Sequence, residues 1–181
     1  MTEEADISDE ALLVRIATGD EAAMRLIYER HHGSVVAFAK TRLNDQALVF
    51  DVAHEVMLDV WRKPQNYSGR SSFRTWLYIL VRNKTIDAVR RSSRIEYGEE
   101  GMDLVDQAPL PDDVLQKAQD ADRMRSCVDG LSAPHKSAIH LTFFEGLTIK
   151  EAAEVEGVPD GTIKTRIFHA KKLLAACLQG Q

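Results

Sequence analysis

Hydrophobic residues recur along most of this chain at steps of three and four, which is the spacing of one face of an α-helix. The pattern predicts helices over about 8–19, 20–43, 45–63 and 72–94. The second of these is interrupted around His31, His32 and Gly33, and Pro64 ends the third because proline cannot continue a helix. No segment alternates polar and apolar residues for long enough to indicate a β-strand, so the predicted fold class is all-α.

The helical pattern stops after residue 94. Residues 95–116 contain seven acidic side chains, no basic side chain, two glycines and two prolines. Such a composition buries little apolar surface and is typical of a flexible linker. Helical spacing resumes near residue 118 and continues to about 178. The sequence therefore predicts two small helical domains, 1–94 and 118–181, joined by a flexible acidic linker over 95–117.

The second domain contains the pattern of a helix-turn-helix. Thr148 and Glu151 have the spacing of a capping box, which predicts a short helix that ends at Gly157. A tight turn and a longer helix follow, with the small Ala153 and the apolar Ile163 where two such helices would touch. This packing leaves the opposite face of the second helix turned outward. The side chains on that face can contact phosphates and base edges: Lys164, Thr165, Phe168, His169 and Lys172.

Charge is strongly segregated along the chain. It carries 23 basic and 28 acidic residues among 181, for a formal net charge of −5. Residues 62–94 nevertheless hold nine basic side chains and one acidic side chain, whereas the segments on either side are net acidic. A concentrated positive block is typical of a surface that binds a polyanion such as nucleic acid. Charge alone is equally compatible with a solvated helix face.

Composition and motif spacing exclude several other classes of protein. No apolar run approaches the roughly 20 residues of a membrane helix, and the N-terminus is acidic where a signal peptide is basic, which predicts a cytoplasmic protein without membrane insertion. Cys127 and Cys177 form no CxxC pattern, so we expect two buried or idle thiols and neither a disulfide framework nor a zinc site. His54 and Glu55 lack a second histidine four residues after the first, and we predict no catalytic residue, metal or cofactor.

Two parts of the chain resemble the extracytoplasmic-function (ECF) group of bacterial RNA polymerase sigma factors. One part is DVAHEVMLDVW at 51–61 with SSFRTWLYILVRNKTIDAVRR at 71–91, which resembles the domain that binds core polymerase and the minus-10 promoter element. The other is LSAPHKSAIHLTFFEGLTIKEAAEVEGVPDGTIKTRIFHAKKLL at 131–174, which resembles the domain that reads the minus-35 element. The resemblance implies sigma region 2 over 1–94 and sigma region 4 over 118–181.

The resemblance also implies where the minus-10 element binds. In this family the loop before the fourth helix captures a base flipped out of the duplex, so that binding energy melts the promoter. The corresponding pocket here consists of Asn66, Tyr67, Ser68 and Asn83, with Asp87 at its rim. Tyr67 lies in a polar loop where no core requires an aromatic residue. Contacts to the DNA backbone are expected from four arginines: Arg74, Arg82, Arg90 and Arg91.

The partners that the resemblance implies are core RNA polymerase, promoter DNA and an anti-sigma factor. Core binding is expected on one stripe of the third helix: Asp51, Glu55, Leu58 and Arg62. Base reading at minus-35 is expected from four side chains of the last helix: Lys164, Thr165, Phe168 and His169. Phosphate contacts are expected from its other cations: Arg166, Lys171 and Lys172.

Two other functions fit parts of the same pattern. A two-domain helix-turn-helix repressor or activator would use residues 1–94 for sensing or dimerisation and would not bind core polymerase. A protein-interaction adaptor that mimics a sigma factor would need only the faces that bind a regulator, and the basic block at 62–94 argues against it. Binding to core polymerase separates the repressor from the sigma factor.

Overall fold

The computed structural model describes residues 7–95 and 123–179, and within these ranges the chain is helical and contains no strand. The predicted all-α fold class is therefore confirmed. Most of the predicted linker, 96–117, lies outside the described residues. Four helices form the N-terminal unit, residues 7–95: α1 (Asp9–Ala17), α2 (Glu21–Lys40), α3 (Gln46–Arg62) and α4 (Phe73–Ile95).

The C-terminal unit, residues 123–179, contains the predicted helix-turn-helix. Its helices are α5 (helical over 123–129), α6 (Ala133–Ile139, followed by a π-helical turn over His140–Phe144), α7 (Ile149–Glu156) and α8 (Asp160–Leu178). The capping box is present, because Glu151 N donates to Thr148 Oγ1 at 3.2 Å and Thr148 N donates to the Glu151 carboxylate at 2.9 Å. Gly157 ends α7 with φ of 63°, a conformation that glycine adopts without steric cost. The helix-turn-helix consists of α7 and α8.

Helix α2 is continuous, and the predicted interruption around His31, His32 and Gly33 is wrong. His31 is buried, and its Nε2 lies 2.7 Å from Oδ2 of Asp9 in α1. Its ring also meets Phe73 of α4 edge to face. A glycine costs roughly 1 kcal/mol in a helix interior. Tertiary contacts made by the neighbouring histidine hold the helix through this position.

The two cysteines form a disulfide, which overturns the expectation of two idle thiols. Cys127 of α5 and Cys177 of α8 are bonded, and their Cα atoms lie 5.9 Å apart. They are 50 residues apart in sequence, and the fold brings them together where α5 meets the end of α8. The disulfide joins the first described helix of the C-terminal unit to its last.

The two units share one buried apolar cluster. Leu141, Ala153 and Ile163 of the C-terminal unit belong to the same cluster as Phe38 and Leu77 of the N-terminal unit. Helix α7 packs directly against α4, so the first helix of the helix-turn-helix contacts the last helix of the N-terminal unit. The sequence predicted two domains and gave no sign that they would pack together.

A buried glutamate lies at this contact. Glu145 is 9% exposed and its carboxylate lies 3.2 Å from His140 Nε2 and 3.1 Å from Arg74 Nη2. Burial by itself would raise the pKa of Glu145, but its interactions with His140, Tyr78 and Arg74 together lower it to about 2. Burial and the bond to Glu145 in turn raise the pKa of the Tyr78 hydroxyl. The carboxylate is therefore charged at neutral pH.

We predict that replacing this charge destabilises the fold in a pH-dependent way. Glu145→Gln should lower the free energy of unfolding near neutral pH by about 1.5 to 3 kcal/mol, as for a hydrogen bond to a charged group. Because folding lowers the pKa of Glu145 from 4.5 to about 2, its charge stabilises the fold above pH 4.5 and this contribution is lost as the pH falls toward 2.

Urea unfolding followed by far-ultraviolet circular dichroism, at several pH values, measures this effect. The difference between wild type and Glu145→Gln should be constant at neutral pH and should shrink on acidification. Glu154→Gln, which changes an exposed glutamate of α7, is the matched control and should show little difference at any pH. A difference that grows as the pH falls would show that the carboxylate is protonated in the fold.

Candidate nucleic-acid interface

The face of α8 that the sequence predicts for base reading is turned to solvent. Ile163 and Ala170 are completely buried and hold the opposite face against the rest of the C-terminal unit. Phe168 is 66% exposed, which is unusual for a large aromatic side chain. The three polar members of the predicted set are exposed as well: Lys164, Thr165 and His169. The structure therefore places all four on an accessible surface.

The predicted phosphate contacts on α8 differ in their surroundings. Arg166 Nη1 lies 3.2 Å from Oε2 of Glu156, so this guanidinium is engaged within the protein. Lys171 Nζ lies 4.6 Å from the centre of the Phe143 ring, a cation–π contact on an exposed surface. Lys172 is exposed. The two lysines, rather than Arg166, are accessible to a phosphate.

The predicted minus-10 loop begins with a 3₁₀ turn over Pro64–Asn66. Asn66 and Ser68 are exposed, but the Tyr67 ring packs against Phe73 and Trp76, with ring centres 6.3 and 5.5 Å apart. Its hydroxyl donates to the Ser71 carbonyl oxygen at 2.8 Å. The premise that no core requires Tyr67 is therefore wrong. Its assignment to the base pocket stays a prediction.

The remaining minus-10 candidates fall into two groups. Four of them lie on one exposed face of α4: Asn83, Asp87, Arg90 and Arg91. Arg74 and Arg82 are half-buried, and both contact the C-terminal unit. Arg82 Nη1 also donates to Asn83 Oδ1 at 3.4 Å, which links the two groups. The structure thus separates residues that the sequence placed in a single set.

The candidate core-binding stripe lies on α3, next to α4. Asp51 and Arg62 are exposed, whereas Glu55 and Leu58 are half-buried. The Glu55 carboxylate accepts from Lys84 Nζ at 3.3 Å and lies 3.9 Å from Arg91 Nη2. Asp51 and Glu55 of this stripe and Arg91 of the minus-10 set line the same shallow groove between the two helices, together with Leu48, Val52, Ala88 and Ser92. The candidate polymerase and minus-10 surfaces are therefore contiguous.

Sequence reasoning missed the charged residues that join the two units. Arg42 Nη2 lies 2.5 Å from Oε1 of Glu156, and Arg74 contacts Glu145. Both glutamates belong to the segment that resembles sigma region 4. Nothing in the sequence of that segment distinguishes them from ordinary surface charges. Their partners lie 114 and 71 residues away, so no local pattern could have found them.

The described residues contain little that would bind a metal. Within 7–95 and 123–179, no three His, Cys, Asp or Glu side chains are grouped as the ligands of a metal ion would be. No helix in the same ranges is both long enough and apolar enough to cross a membrane.

Comparison with known families defines the class of protein. The family model for Sigma-70 region 2 matches residues 27–95, and the model for Sigma-70 region 4 matches residues 121–174. These two regions occur together in sigma factors, which are transcription initiation factors rather than enzymes.

Individual relatives narrow the class to one group. The ECF RNA polymerase sigma factor RpoE of Cereibacter sphaeroides is 30% identical over 170 residues, which cover 92% of this chain and 93% of the relative. The ECF RNA polymerase sigma factor SigL of Mycobacterium tuberculosis is 29% identical over 166 residues, covering 90% of this chain and 93% of the relative. The chain belongs to the ECF group of RNA polymerase sigma factors.

Solved structures agree at the level of the fold. The sigma factor RpoE from Bartonella quintana, crystallised with the anti-sigma factor NepR, superposes with a TM-score of 0.71 at 22% identity, covering 87% of this chain and 97% of that chain. CnrH, in complex with the cytosolic domain of CnrY, gives a TM-score of 0.67 at 23% identity, with 96% and 98% covered.

We predict that base-reading and phosphate-binding cations of α8 can be told apart. Lys164→Ala should change which minus-35 sequences are bound, at a cost of roughly 1 to 3 kcal/mol for the preferred sequence. Lys172→Ala should weaken binding to all sequences alike. It should also make the slope of log K against log salt concentration shallower by about one unit. Selection of bound sequences from a random duplex pool, with titrations at several salt concentrations, measures both effects.

The two variants are matched, since each removes one exposed lysine from the same helix. A change of sequence preference on Lys172→Ala, or a uniform loss on Lys164→Ala, would reverse the assignment of the two positions. The same preference and the same salt slope in both variants and wild type would remove this face of α8 from the DNA interface.

Proposed function

We propose that this chain binds core RNA polymerase, carries it to a subset of promoters and opens the DNA there without ATP. Helix α8 reads the minus-35 element, the N-terminal unit reads and melts the minus-10 element, and the surface of α3 binds core. The observation that carries the proposal is the accessible face of α8. The exposed side chains on this face are Lys164, Thr165, Phe168 and His169, and the opposite face is buried at Ile163 and Ala170. Membership of the ECF group supplies the class of function.

The minus-10 role is assigned to the exposed parts of the loop and of α4. Asn66 and Ser68 are accessible to an extruded base, and Tyr67 supports them from the aromatic cluster beneath the loop. Arg90 and Arg91 lie at the end of α4 where a DNA strand would leave the pocket. Cations next to aromatic side chains are the usual components of a surface that holds single-stranded nucleic acid.

An anti-sigma factor is the proposed regulator, and the cytoplasm is the proposed location of the protein. The solved structures of the sigma factor RpoE from Bartonella quintana and of CnrH were both determined with a partner, in the first case the anti-sigma factor NepR. The exposed groove between α3 and α4 is a candidate for its binding, because a protein seated there would cover the polymerase-binding stripe.

Runoff transcription tests the proposed function. Genomic DNA bound by the chain together with core polymerase is recovered and sequenced, and the recovered promoters serve as templates. Core polymerase with the chain should produce discrete transcripts, and core alone should not. Tight binding of the isolated chain to these fragments without any stimulation of core would favour the repressor or activator.

We predict that Asp51→Arg abolishes binding to core while leaving the fold intact. Asp51 is exposed, and its neighbours Val52 and Ala53 fix the other side of α3 in the core. A reversed charge in the interface costs several kcal/mol, so the dissociation constant for core should rise about a hundredfold or more. Pull-down of core polymerase measures the loss, and far-ultraviolet circular dichroism checks the helix content.

Glu29→Arg is the matched control, because it makes the same change of charge at an exposed position of α2. It should bind core as wild type does. Equal binding by Asp51→Arg and wild type would mean that the polymerase-binding surface lies elsewhere on the N-terminal unit.

A further inference from the structure

Helix α1 contacts both ends of the loop that the proposed function assigns to the minus-10 element. The loop, residues 67–72, runs from the 3₁₀ turn over Pro64–Asn66 to the start of α4. Helix α1 packs against that turn, and at the other end the Glu10 carboxylate accepts from the Phe73 backbone N–H at 3.2 Å. No residue of α1 belongs to the proposed polymerase or promoter surfaces, and the match to the Sigma-70 region 2 model begins after it, at residue 27.

The bond from Phe73 completes the capping of α4. Ser72 is the N-cap residue, because its carbonyl oxygen accepts from Trp76 N at 3.1 Å and its hydroxyl accepts from Thr75 N at 3.2 Å. Neither bond uses the Phe73 N–H, which is one of the donors that the first turn of a helix leaves without a partner. Glu10 supplies the missing acceptor from another helix, and its negative charge lies at the positive end of the α4 dipole.

The Glu10 carboxylate also lies near Tyr67, at the opposite end of the loop. Burial raises the pKa of the Tyr67 hydroxyl, and the negative charge of Glu10 raises it further. The same hydroxyl donates to the Ser71 carbonyl oxygen, and the Tyr67 ring packs on Phe73. The backbone is thus held at Ser71 by the tyrosine and at Phe73 by the glutamate, which leaves the loop between them little freedom.

Helix α1 is itself held firmly against α2. The Asp9 carboxylate lies 2.7 Å from His31 Nε2 and accepts from Arg30 Nη1 at 3.0 Å. The inner face of α1 is buried at three apolar side chains: Leu12, Leu13 and Ile16. Because its helix is fixed in this way, Glu10 can hold the loop in place instead of following its motions.

We propose that Glu10 is a positioning residue for promoter melting, which fixes the minus-10 loop from α1 in the shape that receives an extruded base. The proposal rests on the proposed function, because it needs residues 66–68 to hold that base. A loop that must become ordered during binding uses free energy that would otherwise melt the duplex. A loop that is ordered beforehand avoids this cost. Glu10 acts through the loop and needs no contact with DNA.

Variants of the full chain test the proposal. Glu10→Ala removes the acceptor of the Phe73 N–H, whereas Glu10→Gln keeps an oxygen acceptor on a side chain of the same size and removes the charge. Glu21→Ala is the matched control, because Glu21 is also an exposed glutamate in the first turn of a helix. Far-ultraviolet circular dichroism checks the helix content of each variant.

Amide hydrogen exchange, followed by nuclear magnetic resonance, measures the loop directly. In Glu10→Ala the Phe73 amide should exchange at least about tenfold faster than in wild type and in Glu21→Ala, because it has lost a charged acceptor. In Glu10→Gln the rate should lie between those of wild type and Glu10→Ala. Unchanged exchange of the Phe73 amide in Glu10→Ala would overturn the proposal, because the loop would then be fixed without Glu10.

Runoff transcription with core polymerase measures the consequence for melting. The template is a promoter recovered with core polymerase, supplied as a full duplex and as a duplex mismatched across the minus-10 element. On the full duplex Glu10→Ala should give at least about fivefold less transcript than Glu21→Ala, and Glu10→Gln should recover part of this loss. On the mismatched template, which is already open, the two alanine variants should agree within about twofold.

The two templates separate failure of this proposal from failure of the proposed function. An equal defect of Glu10→Ala on both templates, or no defect on the full duplex, rejects the positioning role and leaves the proposed function standing. Lack of any transcript from wild type with core on either template rejects the proposed function and, with it, the role of Glu10 in melting. Hydrogen exchange still decides in that case whether Glu10 fixes the loop.

Discussion

The buried carboxylate of Glu156 is the constraint on which the arrangement of this molecule depends. It is 4% exposed, and an unpaired charge at that depth costs several kcal/mol. Arg166 of α8, Ser137 of α6 and Arg42 of the N-terminal unit all donate to it. The first two join α8 and α6 to α7 within the C-terminal unit, and the third joins that unit to the N-terminal unit. Arg166 and Ser137 satisfy this charge from within the C-terminal unit, whereas Arg42 satisfies it from outside that unit.

The same reasoning changes the interpretation of the positive block at 62–94. Its charge is not one continuous surface, because part of it neutralises acidic residues within the protein. Lys84 lies between Asp59 and Glu55, and Arg74 is held by Glu145. Burial would raise the pKa of Asp59, but its contact with Lys84 lowers it overall, so this pair stays charged at neutral pH. The exposed cations among the described residues of the block lie in two groups, one before α4 (Arg62, Lys63 and Arg70) and one near its end (Arg90 and Arg91).

Local patterns in the sequence predicted the helices and the helix-turn-helix, whereas contacts between distant residues could not be predicted. Thr148 and Glu151 are three residues apart and their capping box follows from that spacing. Arg42 and Glu156 are 114 residues apart, and the pairing of Cys127 with Cys177 spans 50. Such pairs depend on how helices pack, which periodicity does not encode. The prediction that no core requires Tyr67 was wrong for the same reason. Its aromatic neighbours belong to α4 and reach its ring only because the chain turns before that helix.

The contiguity of the α3 and α4 surfaces couples polymerase binding to DNA binding in the proposed function. Glu55 lies on the proposed polymerase stripe and 3.9 Å from Arg91, which is proposed to contact DNA. A partner that binds the Glu55 carboxylate removes an acceptor from Arg91. The Arg91 guanidinium can then bind a phosphate. Coupling between two binding equilibria is reciprocal, so DNA bound at Arg91 would strengthen polymerase binding at Glu55 by the same factor. Both effects depend on Arg91 of α4, the helix that also carries Arg74 and Arg82 against the C-terminal unit.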